Sequence, residues 1–326
     1  MKIGAIFPPT IRTPEYIELA EQLGYHYAFV YDSPALMADP WITLSEAATR
    51  TSTIVLGISA ITTRMRHLVA TAGAVATLST KAPGRFVLVV GSGYTAQHMV
   101  GKKPTTWAEV EAYVVALRAL LSGEDIEWDG AMIGLRHGPL TGVRVEPVPI
   151  WVAAHGPKGY ACADRVADGI ITNPTHGTDN DFDKARRSFV LFYGTVLDEG
   201  EKPDSERVLH AAGPTAAFQL HLGGLGVAGN TPQWHEYIAH MEGIDPRRRH
   251  LETHRSHLIA VLDHEIPLIT PELIGATTGT GTAEEVRAAL TALTESGTAG
   301  VLYGPQGPDI ARELRSFAEA ADLHVR

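Results

Sequence analysis

LAEQLGYHYAFVYD, residues 19–32, decides how the rest of the chain is read. A helical stretch runs up to Gly24, and residues 26–31 then form a short, mostly apolar and aromatic run. Glycine just past a helix end supplies the left-handed conformation that stops it. A near-continuous apolar run suits a parallel strand covered on both faces. The same order of helix, glycine and strand returns in ADRVADGIITNP (163–174, around Gly169) and in LTESGTAGVLYGP (293–305, around Gly297). About eight such strands can be counted from end to end, the number that closes a (β/α)8 TIM barrel. A barrel of this kind directs attention to the loops that follow the strand C-termini.

Working outward, the pattern predicts strands at 3–7, 26–31, 53–62, 85–90, 149–153, 169–172, 208–212 and 300–303. Helices are expected at 14–23, 43–50, 68–79, 105–123, 181–199, 282–296 and 309–321. Residues 124–148 read as irregular with a small hairpin. Residues 214–278 break the rhythm as a mostly helical, histidine-rich insertion after strand seven that would cap the barrel mouth and set specificity. The whole chain, 1–326, is expected to be one barrel domain.

Bulk properties narrow the function classes. Lys and Arg number 27 against 37 Asp and Glu, a formal charge of −10. Nucleic acid is therefore not expected as a partner, since that calls for a basic face. No apolar run of about 18 residues predicts a membrane span, and the opening MKIGAIFPPT is too short an apolar run for a signal segment and reads as the first barrel strand. Cytoplasmic residence is the default expectation. Cys162, the single cysteine, excludes an internal disulfide framework and reads as a small core residue on a helix.

Four loops carry candidate chemistry. In RFVLVVGSGYTA, Gly91-x-Gly93-x-x-Ala96 follows a strand, so a dinucleotide fingerprint must be weighed. That fingerprint needs a helix opening at once and an acidic residue about twenty positions on, at the end of the next strand. Here the turn runs on into QHMVGKKP, and Glu109 and Glu111 sit inside a helix. At a barrel strand's end, the same glycines let backbone approach a flat ligand closely. In VLGISAITTRMRH, Ser59 and Ala60 fall near the end of strand three, where small residues leave room for a ring, and Arg64, Arg66 and His67 could serve an anion. Asp32-Ser33 ends strand two, where a carboxylate can accept a hydrogen bond or carry a proton. In PIWVAAHGPKGYACADRV, Ala153 and Ala154 end strand five, and His155-Gly156-Pro157-Lys158 opens a helix whose free N–H groups make a candidate phosphate seat. Thr172-Asn173-Pro174 ends the neighbouring strand.

His250, His254, His257 and His264 are spaced to share one helical face. A metal site would need ligands from elsewhere and an acidic outer shell, so the stripe is read as partly solvated or substrate-facing and no metal is assigned. A metal-dependent barrel hydrolase would want His-x-His at the end of strand one, and AIFPPT has none.

Taken together, LAEQLGYHYAFVYDS, IVLGISAITTRMRHLVATAGAVATLSTKAPGRFVLVVGSG, GKKPTTWAEVEAYVVALRALLSGE and IWVAAHGPKGYACADRVADGIIT resemble the bacterial luciferase-like superfamily. The similarity lies nearest its coenzyme F420-dependent, methylenetetrahydromethanopterin reductase-like branch. It is carried by the order of four segments rather than by one motif, and it covers residues 1–175 more closely than the remainder. The resemblance implies a barrel whose C-terminal mouth binds coenzyme F420, with FMN as the alternative. It implies a non-prolyl cis peptide at Ser59-Ala60 that backs the ring. Cofactor contacts would come from Asp32, Ser59, Ala60, Gly91, Ser92, Gly93, Ala153, Ala154, His155, Gly156 and Thr172. Relatives of this branch commonly place an acidic residue where this chain has Tyr94, and sugar-phosphate relatives have a histidine where Ser33 stands. Asp32, Tyr94 and His98 are accordingly the expected proton-handling residues. The implied activity is hydride transfer between F420 and a small-molecule organic substrate. An FMN-dependent monooxygenase and a non-catalytic flavin-binding protein are the alternatives. A homodimer is expected, as family members often pair.

Overall fold

The computed structural model describes residues 1–173, 188–222 and 227–324. The chain begins β1 (Lys2–Phe7), α1 (Thr13–Gln22), β2 (Tyr27–Val30), α2 (Pro40–Arg50), β3 (Val55–Thr62), α3 (Leu68–Lys81) and β4 (Phe86–Gly91). Two helices follow, α4 (Tyr94–Met99) and α5 (Trp107–Leu121), and then the hairpin β5 (Ile126–Trp128) and β6 (Ala131–Ile133). The barrel resumes with β7 (Ile150–Ala153), α6 (Pro157–Val166), β8 (Gly169–Thr172) and β9 (Ser188–Tyr193). After β9 come α7 (Glu206–His221), α8 (Pro232–Glu242), α9 (Arg249–Thr253), α10 (Pro271–Thr277) and α11 (Ala283–Glu295). β10 (Gly300–Gly304) and α12 (Ile310–Ala320) complete the chain. The eight long strands close into a parallel barrel in the order β1-β10-β9-β8-β7-β4-β3-β2, which is the (β/α)8 fold expected.

Alternation along the strands divides the core in two. Ile3, Ala5, Phe7, Leu56, Ile58, Leu88, Val90 and Val301 pack outward against the helices, while Ile6, Phe29, Val87, Val89, Trp151, Ile171, Phe189 and Leu302 fill the interior. Tyr27, Phe29, Trp151 and Phe189 meet there, with Trp151 and Phe189 centroids 4.9 Å apart and Tyr27 and Phe189 5.0 Å apart. Facing strands present glycine to these rings. A methyl group on Gly57 would lie 2.3 Å from Phe29, one on Gly169 2.9 Å from Trp151, and one on Gly300 2.2 Å from Phe189. The barrel is therefore a packed core below its rim, not a pore.

Three expectations need correction. The seventh barrel strand is β9 at Ser188–Tyr193, within the stretch read as helix 181–199, of which 181–187 lie outside the described residues. Residues 208–212, read as that strand, lie inside α7, which continues through Pro214. Short apolar runs do not distinguish strand from buried helix by period, and Gly213-Pro214 imitates the end of a strand. The helical region between strands seven and eight therefore starts earlier than 214, with α7 at Glu206. Lastly, Gly24 and Gly297 have positive φ as helix stops, at +88° and +82°, but Gly169 does not. It opens β8 as the close-packing partner of Trp151.

Cys162 is buried in α6, its thiol donating to the Trp107 carbonyl at 3.6 Å, and burial raises its pKa. No helix among the described residues is long and apolar enough to cross a membrane.

Candidate active site at the barrel mouth

The C-terminal rim is uneven by construction. On the β3, β4 and β7 side it is lined by small residues. The Ser59–Ala60 peptide is cis, and the β3–β4 register shifts between Ile58 and Ile61. Ala60 and Ala153 pack on the top of the interior cluster. A methyl group added to Gly91 would stand 3.2 Å from the Ala60 methyl and 3.6 Å from that of Ala153. These three residues make a shallow apolar floor. On the other side, Tyr31 and Tyr193 join hydroxyls at 3.0 Å across the ends of β2 and β9, spanning the gap filled by β1 and β10. Burial pushes the Tyr193 hydroxyl up to about 12 despite the bond from Tyr31, and raises Tyr31 as well, so both phenols stay neutral and one donates to the other.

The loops expected to surround this floor are where the sequence put them. Gly93 adopts φ +74° as the N-cap of α4, and a side chain there would strike Thr62 at 2.5 Å. The Gln97 amide donates to the Thr62 hydroxyl at 3.1 Å, and the Ser92 carbonyl accepts the Thr105 N–H at 2.8 Å. A six-residue helix does open directly after Gly93, contrary to the sequence reading, but it belongs to a closed barrel and not to a dinucleotide fold. Gly156 caps α6 with φ +111° and open space around its Cα. Ala154 is buried beneath this turn. The His155 ring accepts the Asn173 N–H at 3.1 Å, and Tyr160 and Thr172 share a hydroxyl contact at 2.9 Å. The two loops after β7 and β8 are thus bound to each other. Pro174 lies outside the described residues. The N–H groups of Lys158 and Gly159 at the start of α6, with the Lys158 side chain in the same turn, can receive an anion.

The proton-handling candidates fall into two separate groups. Tyr94 and His98 lie one turn apart on α4, stacked with centroids 6.4 Å apart. His98 meets His254 at 5.2 Å and His250 at 6.5 Å, and its pKa is lowered by burial and by His250. Asp32 sits instead at the end of β2, 7% exposed. Of the basic residues expected to serve an anion, Arg64 pairs with Glu109, and His67 accepts the Val69 N–H through Nδ1 at the start of α3. Arg66 lies 3.7 Å from Asp39 and over the Trp41 ring.

Burial raises the Asp32 carboxyl to about 6, with the Asp39 carboxylate adding to the rise and Arg66 opposing it. The folded protein therefore holds this proton more tightly than the unfolded chain. The stability Asp32 contributes is complete below about pH 4 and is lost as pH rises through about 6. Asp32→Asn should remove that loss, adding about 2–3 kcal/mol near pH 8. Urea denaturation of both proteins across this range checks it, with the curves converging at low pH. A parallel offset at every pH would show that Asp32 is not the titrating group.

The histidine stripe does not form a single face. α9 ends at Thr253, and the chain then turns through Leu258 at φ +57°. His264 stacks on His240 at 4.1 Å, whereas His254 and His257 turn toward His221 of α7. Sequence reasoning missed this grouping and also Tyr193, for which the aromatic run SFVLFY (188–193) was the available signal. A separate cleft of about 420 Å³ opens at the opposite end of the barrel among Met1, Gly24, His26, Asp322 and His324. That is the end where barrel residues serve stability rather than chemistry.

Comparison with known proteins agrees with this geometry. Over 175 residues the chain is 30% identical to the 5,10-methylenetetrahydromethanopterin reductase of Methanolobus tindarius, covering 52% of each chain. Over 181 residues it is 34% identical to the F420-dependent glucose-6-phosphate dehydrogenase of Beutenbergia cavernae, covering 50% of this chain and 53% of that protein. The matches thus span about half the length of these curated relatives. The solved structure of the coenzyme F420 dependent tetrahydromethanopterin reductase from Methanopyrus kandleri superposes with a TM-score of 0.70 at 19% identity, covering 100% of this chain and 99% of that one, a likeness of fold. The luciferase-like monooxygenase family matches residues 8–190, more than half of the chain, and the protein belongs to that family.

Proposed function

We propose that the protein is an oxidoreductase that binds coenzyme F420 across the barrel mouth and transfers a hydride between it and a small organic substrate. One observation carries the reading: the floor of Ala60, Gly91 and Ala153, three small residues so close-set that a methyl group on Gly91 would stand 3.2 Å from that of Ala60. The likeness to two F420-dependent relatives supports the choice of coenzyme.

In this reading Ser59 and Ala60 back the ring, and Gly91, Ser92 and Gly93 leave its edge uncovered. Ala153, His155, Gly156 and Thr172 border its tail, Ala154 being fully buried beneath the turn and so not the contact expected of it, and the α6 N-terminus with Lys158 receives the tail's phosphate. The bound coenzyme supplies the hydride chemistry. The chain's own share is orientation and exclusion of water. Tyr31 and Tyr193 wall the far side of the floor. Asp32, with a carboxyl poised near 6, faces the polar edge of the ring and holds or yields a proton at neutral pH. Tyr94 and His98 attend the substrate side. Ser33, in place of the histidine of sugar-phosphate relatives, directs the substrate away from that class.

Titration of the purified protein with F420 and separately with FMN tests the reading. Quenching of F420 fluorescence with a Kd of roughly micromolar, and no comparable FMN binding, is expected. Micromolar FMN binding with oxygen consumption on reduction would replace the proposal by the monooxygenase reading.

A further inference from the structure

Beside the mouth lies a cluster that hydride transfer does not use. His221 on α7 and His254 and His257 beyond α9 are all buried, and each brings one imidazole nitrogen within 4.8 Å of the other two. His221 Nε2 stands 2.6 Å from Glu265 Oε1. The other oxygen of Glu265 accepts the Leu262 N–H at 2.8 Å. His257 Nε2 reaches the Thr95 hydroxyl at 3.4 Å. His221 Nδ1, His257 Nδ1 and both nitrogens of His254 are buried with no hydrogen-bond partner among the described residues.

Buried polar atoms are ordinarily paired, and an orphan asks for an explanation. Here four orphans belong to three rings, and one nitrogen of each ring lies within 4.8 Å of one on the other two. We infer that His221, His254 and His257 form a binding site for a divalent transition-metal ion of the zinc class, with His221 ligating through Nδ1. Three imidazoles suit zinc, cobalt or nickel and not magnesium or calcium, which take oxygen ligands. Glu265 completes the arrangement from behind. A ligating histidine almost always gives its other N–H to a carboxylate or carbonyl, which fixes the ring and its tautomer. Thr95 gives His257 the equivalent support.

Four-coordinate ligation at about 2.0–2.1 Å sets donor nitrogens roughly 3.3 Å apart, a contraction within reach of side-chain rotation. The ion cross-links α7 to the segment after α9 and seats both against α4, whose Tyr94 and His98 rings lie 5.9 and 5.2 Å from His254. A fourth position remains for water or a substrate atom. The inference does not depend on the bound coenzyme.

The test uses the full chain, stripped by chelator and titrated with Zn(II) and Co(II) near neutral pH. One equivalent of tightly held zinc is expected, and cobalt should give the intense visible bands of a four-coordinate ion. Glu265→Gln should weaken zinc binding about 10–100-fold. His254→Ala should abolish the cobalt spectrum, and His235→Ala, on an exposed turn of α8, should leave it unchanged. Zinc uptake by the intact protein with a Kd weaker than about a micromolar, or an unaltered cobalt spectrum in a folded His254→Ala protein, overturns the assignment. The wild-type titration decides the matter even where the variant fails to fold.

Discussion

Ala153→Leu is expected to leave a folded protein that has lost its coenzyme. The Ala153 methyl is one of three small groups that surface the floor at the barrel mouth, and it is only half-buried. Leucine would add three carbons above Gly91 and Ala60, in the space the ring is proposed to occupy. Overpacking inside a filled core costs about 1–3 kcal/mol, but here the added carbons point toward the rim, so the melting temperature should fall by only a few degrees. Affinity for F420 should fall at least about 100-fold, close to 3 kcal/mol. Paired fluorescence titration and thermal melts measure the two effects separately. Full affinity in the leucine variant would mean that the ring lies elsewhere.

The second large effect is one of stability. Glu313 on α12 is 3% exposed and accepts from Thr195 at 2.7 Å, Arg207 at 3.0 Å, Arg312 at 2.9 Å and the Tyr303 hydroxyl at 3.2 Å. These partners come from the loop after β9, the first turn of α7, α12 itself and β10. The carboxylate is where the helical region between the last two barrel strands is rooted. Glu313→Ala removes the buried carboxylate that the two guanidinium groups share, and leaves the Tyr303 and Thr195 hydroxyls only the Gly194 carbonyl at 3.1 Å and the Val196 carbonyl at 3.4 Å. Removing one partner from a buried charged network costs about 3–5 kcal/mol, which corresponds to a drop of roughly 6–15 °C in melting temperature for a chain of this size. Arg207→Ala should cost less, because Arg207 is more exposed and Arg312 remains. Equal losses in the two variants would argue against Glu313 as the centre of the network.

Where helix, glycine or polar turn, and apolar run follow one another, the sequence was a good guide. The first six barrel strands and the eighth lie within a few residues of their expected places, because each has a well-marked helix on at least one side. The seventh failed for a physical reason. SFVLFY is followed by GTVLDEGEK and preceded by charged residues, so no cap announces it. RVLHAAGP, by contrast, carries a β-branched residue and a Gly-Pro end while folding as helix, since Gly213 lets Val261 pack within 2.9 Å of where its side chain would be. The floor was legible as a row of small residues at strand ends. Its opposite wall was not, because Tyr193 had been given to the wrong element. The histidine cluster could not be read from spacing either. His221 stands more than thirty positions before His254, and the turn after α9 that brings His257 to it leaves no periodic trace.

The aromatic rings of the barrel interior and the glycines facing them have a bearing on how such a protein can diversify. Each ring occupies a socket that only a missing side chain creates, so replacing either member alone is penalised: a smaller ring leaves a void and a larger socket residue collides. Variants can cross that barrier only by paired exchange, which is rare, and the lower stave layers are thereby locked. The rim obeys no such reciprocity on the proposed reading, in which its alanines face a guest rather than a fixed neighbour. Lineages descended from this scaffold should accumulate novelty at the crown while inheriting the stem unchanged.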